Sequence, residues 1–144
     1  MITNRSKDKI RRAVGTDMLT LYHPQEKDGT YNHHPQLCKF KGRVYAMWSN
    51  GKVDEDDPGQ RVLYTSSEDG KNWEEPRVLM EPSPAEGVLM PAGFYVYGDV
   101  LRAYIGFFTY WDYLNTWAHE NTTLLCVTTR TARRGSLPWI SASA

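Results

Sequence analysis

The sequence predicts an all-β chain of two successive four-stranded antiparallel meanders behind an N-terminal segment. Three observations carry this. From Gln36 onward the apolar residues fall in short or alternating runs, the spacing of strands rather than of a helical stripe. Gly, Pro, Asp and Asn close each run where the chain must turn. The segment beginning near Val88 then repeats the plan of the one before it. Helical periodicity is weak throughout, and only Ser6 to Met18 has room for a helical turn or two.

The first strand runs Gln36-Leu37-Cys38-Lys39-Phe40 and closes on a tight Lys41-Gly42 turn. The second is Arg43 to Ser49. A polar loop, Asn50 to Gln60, carries Asp54-Glu55-Asp56-Asp57-Pro58-Gly59 and leads into a third strand, Arg61 to Ser66. After a turn ending at Trp73, a fourth runs Arg77 to Met80 and stops at Pro82. Four strands in about 48 residues match one propeller blade. The second unit has Val88 to Tyr97, a Gly98-Asp99 turn, Val100 to Phe108, and Thr122 to Arg130; aligning Gly42 with Gly98 sets Val44 over Val100 and Tyr45 over Leu101. The predicted fold is thus a partial β-propeller, with a first blade over 31–82 and a second over 88–130.

Composition excludes several functions. Seventeen basic and 17 acidic side chains give a formal net charge of +0, which argues against nucleic acid or an anionic membrane as partner. No apolar run approaches the ~18 residues of a membrane helix. The charged start (Arg5, Lys7, Asp8, Lys9, Arg11, Arg12) shows no signal peptide, so the default compartment is cytoplasmic. Cys38 and Cys126 match no zinc spacing and sit in apolar alternating segments, as buried free thiols would. No cofactor motif, nucleophile elbow or metalloprotease motif occurs, so no cofactor and no metal are expected. Nine Tyr and five Trp among 144 residues are an excess that a function should explain.

The turn between the third and fourth strands reads Ser66-Ser67-Glu68-Asp69-Gly70-Lys71-Asn72-Trp73. It resembles the Asp-box, Ser-x-Asp-x-Gly-x-x-Trp, of the sialidase (neuraminidase) superfamily. Ser66, Gly70 and Trp73 fall on the motif, and Glu68 stands where Asp is usual. In such a turn a hydroxyl and a carboxylate accept turn N–H groups, Gly takes the positive φ, and the indole tucks beneath the hairpin, so the motif is a structural staple. An ordinary Asp-Gly hairpin followed by a core tryptophan accounts for the same residues. Further likeness lies in His33-His34-Pro35 at the Arg-x-Pro place that opens the first sialidase blade, in the Lys41-Gly42 turn, and in the acidic loop from Asp54 to Asp57. The resemblance covers 31–82 well and 88–130 loosely. It implies a six-bladed propeller and a carbohydrate-active enzyme. His33 replaces the arginine that would clamp a sialic-acid carboxylate, and an imidazole cannot give that permanent bidentate charge. In its His-His pair the sequence is similar to propellers that use histidine chemistry on uronic-acid or rhamnose-containing polysaccharides.

Topology alone brings the candidates together. In an antiparallel meander the start of strand one and the loop between strands two and three share an end, with the first strand innermost. Tyr31, Asn32, His33 and His34, the acidic loop, and the aromatic loop of Tyr110, Trp111, Tyr113 and Trp117 therefore belong to one rim. Acid–base groups beside stacking surfaces are what a sugar site needs. The catalytic candidates are His33, His34, Asp54, Asp56 and Asp57; the substrate-binding candidates are Tyr31, Asn32, Arg61, Tyr110, Trp111, Tyr113 and Trp117. Strand alternation would send the two imidazoles to opposite faces, leaving one pointing inward. Each group also has a plainer reading: strand entry for the histidines, a solvated turn for the acids, inter-blade core for the aromatics, and a cross-strand ion pair for Arg61. The acidic loop lacks the full oxygen-ligand pattern of a calcium motif.

The expected activity is glycoside hydrolysis of the sialidase type, with a carboxylic acid and His33 or His34 in acid–base or polarising roles. A non-catalytic glycan-binding propeller and a histidine-dependent polysaccharide lyase or glycosidase are the alternatives. A closed propeller needs at least about four blades. Two leave apolar flanks exposed, so the remaining blades are an expected partner and this stretch alone is expected to be inactive. The resemblance puts the nucleophilic Tyr–Glu pair and later arginines on those blades. Where a second Asp-box would follow, Arg130, Ala132 and Gly135 replace its residues, and 131–144 read as an aberrant, strandless tail of an N-terminal fragment.

Overall fold

The computed structural model describes residues 15, 17–83, 85, 87–109, 122–129 and 139–143. The described residues form two four-stranded antiparallel sheets. The first runs β1 (Tyr31–Phe40), β2 (Arg43–Gly51), β3 (Arg61–Ser67) and β4 (Arg77–Met80), in that spatial order. The second repeats the order with β5 (Gly87–Tyr97), β6 (Val100–Thr109), β7 (Thr123–Thr129) and β8 (Trp139–Ser143). The only helical element among the described residues is a 3-10 turn, Glu26–Asp28. The stretch expected to hold a helical turn, 6–18, lies mostly outside them.

The strands form where the alternation placed them, with two corrections. β1 begins at Tyr31, ahead of the expected Gln36, because a bulge between His33 and Gln36 carries the ladder past Pro35, which has no N–H to donate. The tail is not strandless: β8 pairs with β7 through Cys126–Ser143 and Thr129–Trp139, using an edge that would otherwise expose open backbone groups. Both cysteines are free but half-buried, not buried as their neighbours suggested; burial still pushes the Cys38 thiol up.

The sheets pack face to face. Met47 and Val62 of the first interdigitate with Leu89, Ala103, Ile105 and Val127 of the second, and all six are buried. The other face of the first sheet places Ala46, Trp48 and Leu63 against Leu21, Tyr22 and Trp73. At the hairpin end Phe40, Tyr45 and Leu101 form a smaller cluster, and Lys41 reaches Asp99 at 3.1 Å, so the two aligned turns lie side by side. β5 also packs against β1, as inner strands of neighbouring blades do.

The turn aligned with an Asp-box is stapled, but one residue out of the expected register. Ser67 and Asp69 take the roles expected of Ser66 and Glu68. Ser67 Oγ accepts the Gly70 N–H at 2.9 Å, and Asp69 accepts the N–H groups of Lys71 and Asn72 at 2.8 and 2.7 Å. Gly70 takes φ 73°, and Trp73 Nε1 donates to its carbonyl at 3.2 Å. The physical reason is reach. The short carboxylate of Asp69 lies over the turn, whereas Glu68 extends outward to Arg43 at 2.7 Å; Ser66 donates to Glu74, which also pairs with Arg43.

These N–H donors hold the Asp69 carboxyl well below its ordinary value, with the Asn72 backbone the largest cause. A depressed folded-state pKa adds stability above the unfolded value that is lost as pH falls toward the folded one. Asp69→Asn is therefore expected to melt lower than wild type at neutral pH, with the gap narrowing as pH drops toward ~2. Thermal melts across that range check it; a gap independent of pH would show that the charge is not what staples the turn.

Candidate functional site

The site forms where β1 begins and the loop between β2 and β3 returns. His34 adopts φ 53°, a left-handed conformation costly for a non-glycine residue, at the bulge before Pro35. That twist breaks the alternation expected to send the two imidazoles to opposite faces. Instead the rings lie together, centroids 4.1 Å apart, and both reach Glu55: His33 Nδ1 at 3.2 Å and His34 Nε2 at 3.7 Å from the same Oε1. His33 is largely covered, with the edge of Tyr31 at 4.9 Å between centroids, while His34 and Glu55 are exposed.

Gln60, fully buried at the end of the loop, sets the proton on His33. Its Nε2 donates to the Leu89 carbonyl at 3.0 Å, which turns Oε1 toward the Asp56 N–H at 3.2 Å and His33 Nε2 at 2.9 Å. An amide oxygen only accepts, so His33 Nε2 carries a hydrogen. Nδ1 is then the lone-pair nitrogen of the neutral ring, and it faces a carboxylate. Two acceptors at 3.2 Å are mutually satisfied only with a cation between them, a proton in the simplest case.

Of the remaining acids, Asp54 and Asp57 build the loop. Asp57 accepts the Asp54 N–H at 3.1 Å, and Asp54 accepts the Glu55 N–H at 2.8 Å. Asp56 is buried beside Gln60 at φ 60°; desolvation and then the Glu55 charge push its carboxyl up, opposed by His33. Leu89 N–H donates to the Gln60 carbonyl at 3.0 Å, and Gly59 N–H to that of Gly87, so the second sheet holds the loop in place.

Two expected binding residues are committed elsewhere. Asn32 Oδ1 accepts from Trp48 Nε1 at 2.9 Å and Asn50 Nδ2 at 3.0 Å. Arg61 donates to Asn50 Oδ1 at 2.8 Å and the Asp28 carbonyl at 3.0 Å, and pairs with Glu81 at 3.2 Å. Its ladder partner is Asn50, whereas His33 is opposite Ser49, so Arg61 belongs to the sheet face away from the imidazoles. The ion-pair reading of Arg61 is the one its contacts fit. Tyr110, Trp111, Tyr113 and Trp117 lie outside the described residues.

Glu55 and Gln60 were not among the sequence candidates. A signal for Glu55 existed: Asp54 and Asp57, three apart, suit local turn bonds, which leaves the longer glutamate as the acid able to reach across. For Gln60 there was none, since its role depends on the Leu89 carbonyl of the other sheet.

No curated protein sequence matches the chain. A solved structure of a sialidase superposes with a TM-score of 0.62 and 21% identity, covering 81% of this chain and 13% of that one, a likeness of fold. The chain thus spans about an eighth of that protein's length. Residues 5–122 fit the sequence profile described as BT_1020-like, N-terminal beta propeller, and with two matching blades in place the chain belongs to that family.

Proposed function

We propose that these two blades carry the acid–base corner of a carbohydrate-active propeller, a glycoside hydrolase of sialidase-like type whose other groups come from further blades. The observation that supports this is the convergence of His33, His34 and Glu55 on the rim where the inner strand begins. A carboxylate and an imidazole sharing one position can deliver a proton to a leaving oxygen or polarise it. The imidazole in the place of a clamping arginine favours a uronic-acid or rhamnose-containing polysaccharide over a sialoside.

The test is a screen of the full gene product against sialosides and uronic-acid polysaccharides, following both reducing ends and unsaturated uronates. Hydrolysis yields only the former; an unsaturated product would reassign the site to elimination, the histidine-dependent lyase. Glu55→Gln and His34→Ala, both exposed, are each expected to lower kcat by ~10²-fold or more with the melting temperature unchanged. Glycan binding with no turnover would leave a non-catalytic binding propeller, and unaltered turnover in both variants would remove the site from the chemistry.

A further inference from the structure

We infer that His33, His34 and Glu55 form a divalent transition-metal site of the zinc class. One ligand atom from each lies within 4.8 Å of the other two, and the nitrogens facing the Glu55 oxygen are His33 Nδ1 and His34 Nε2. Two ligands ~2.0–2.1 Å from a zinc ion in tetrahedral relation are ~3.4 Å apart. The His33–Glu55 and His34–Glu55 separations of 3.2 and 3.7 Å bracket that value. The two imidazoles are no more than 4.8 Å apart, so the exposed His34 closes at most ~1.4 Å by rotation.

Three features distinguish this cluster from a chance surface gathering. Gln60 fixes a hydrogen of His33 on Nε2, so that the neutral ring has its lone pair on Nδ1, the arrangement by which a hydrogen-bond partner behind a ligating histidine sets its tautomer. The Glu55 carboxylate faces that same nitrogen, an arrangement that a proton or a metal ion resolves, and so puts an oxygen donor beside it. The left-handed His34 and the adjacent bulge are local strain, and their effect is to put a second imidazole on the same carboxylate. Mixed nitrogen and oxygen donors suit zinc, cobalt or nickel and not calcium, which takes oxygen. Three protein ligands leave a position open for water or an external oxygen ligand. The sequence suggested no metal because only the bulge and the loop bring these residues together. The inference does not depend on the sugar reading, since a catalytically silent protein would bind the ion equally; while the ion is bound Glu55 and His34 are ligands and not proton donors, so the acid–base reading applies to the metal-free site.

The experiment is calorimetric titration of zinc chloride into the tag-free, chelator-stripped full chain, with a parallel cobalt(II) titration followed by visible absorption. One saturable equivalent in the micromolar range is expected, with a cobalt spectrum that zinc displaces. Glu55→Gln and His34→Ala should each weaken binding by ~10-fold or more, and His23→Ala, an exposed histidine outside the cluster, should not. Both ligand variants alter exposed side chains, and unchanged melting temperatures without metal confirm that they fold. Absence of saturable binding at millimolar zinc, or equal binding by wild type and both ligand variants, overturns the site.

Discussion

Leu89→Ala is expected to destabilise the protein by ~2–5 kcal/mol, the range for truncating a buried leucine. Leu89 is 1% exposed and is set among Met47 and Val62 of one sheet and Ala103, Ile105 and Val127 of the other. Its side chain fills space between two layers held by separate hydrogen-bond ladders, and neither layer can collapse onto the gap without shifting a ladder. The loss is a large share of the ~5–15 kcal/mol that holds a domain together. Urea denaturation of wild type and variant measures it. Leu124→Ala, on β7 but 58% exposed, is the control and should stay within ~0.5 kcal/mol. A loss below ~1 kcal/mol at Leu89 would mean that the two sheets do not share a core.

That residue also shows where sequence reading reaches and where it stops. The strands were legible because alternation and turn chemistry are local: Lys41 and Gly42 take positive φ, and the matching turn at Gly98 sits beside them. The blade repeat was legible for the same reason. The rim was legible as topology, since an antiparallel meander brings the start of β1 and the acidic loop to one end. The way the candidate residues meet there was not. His33 and His34 were expected on opposite faces, and a one-residue bulge, which leaves no periodic trace, puts them on one carboxylate. Glu55 was overlooked among four neighbouring acids whose division of labour depends on which side chains the turn itself consumes. For Arg61 the sequence leaves substrate binding and a cross-strand ion pair both open, and Asn32 shows no partner in it, because Asp28, Asn50 and Glu81 come from other parts of the chain.

The second large effect is steric. Gly29→Ala is expected to cost at least ~2–4 kcal/mol, more than any conformational preference explains. Gly29 has φ 88°, and a Cβ there would stand 2.4 Å from the Gly51 carbonyl oxygen and 3.1 Å from its carbon. Both are backbone atoms at the end of β2, and neither can rotate away. The chain is anchored on either side of the contact: Asn50 Nδ2 donates to the Gly29 carbonyl at 3.1 Å, and Thr30 N–H to that of Lys52 at 3.0 Å. Relief by movement therefore breaks one of these or displaces Gly51, itself tight against Asp54, where an added Cβ would be 2.9 Å from the carbonyl oxygen. The displacement would pass into the loop that positions Glu55. Gly42→Ala is the comparison for a positive φ without a clash, because Gly42 has φ 81° and nothing within 4 Å of an added Cβ. It should lose only the ~1–2 kcal/mol of a left-handed alanine. Denaturation of the two variants side by side gives, as their difference, the steric cost together with the extra conformational cost of Gly29's ψ of 128°, which lies outside the left-handed well, and equal losses would mean that Gly29 can draw back from β2.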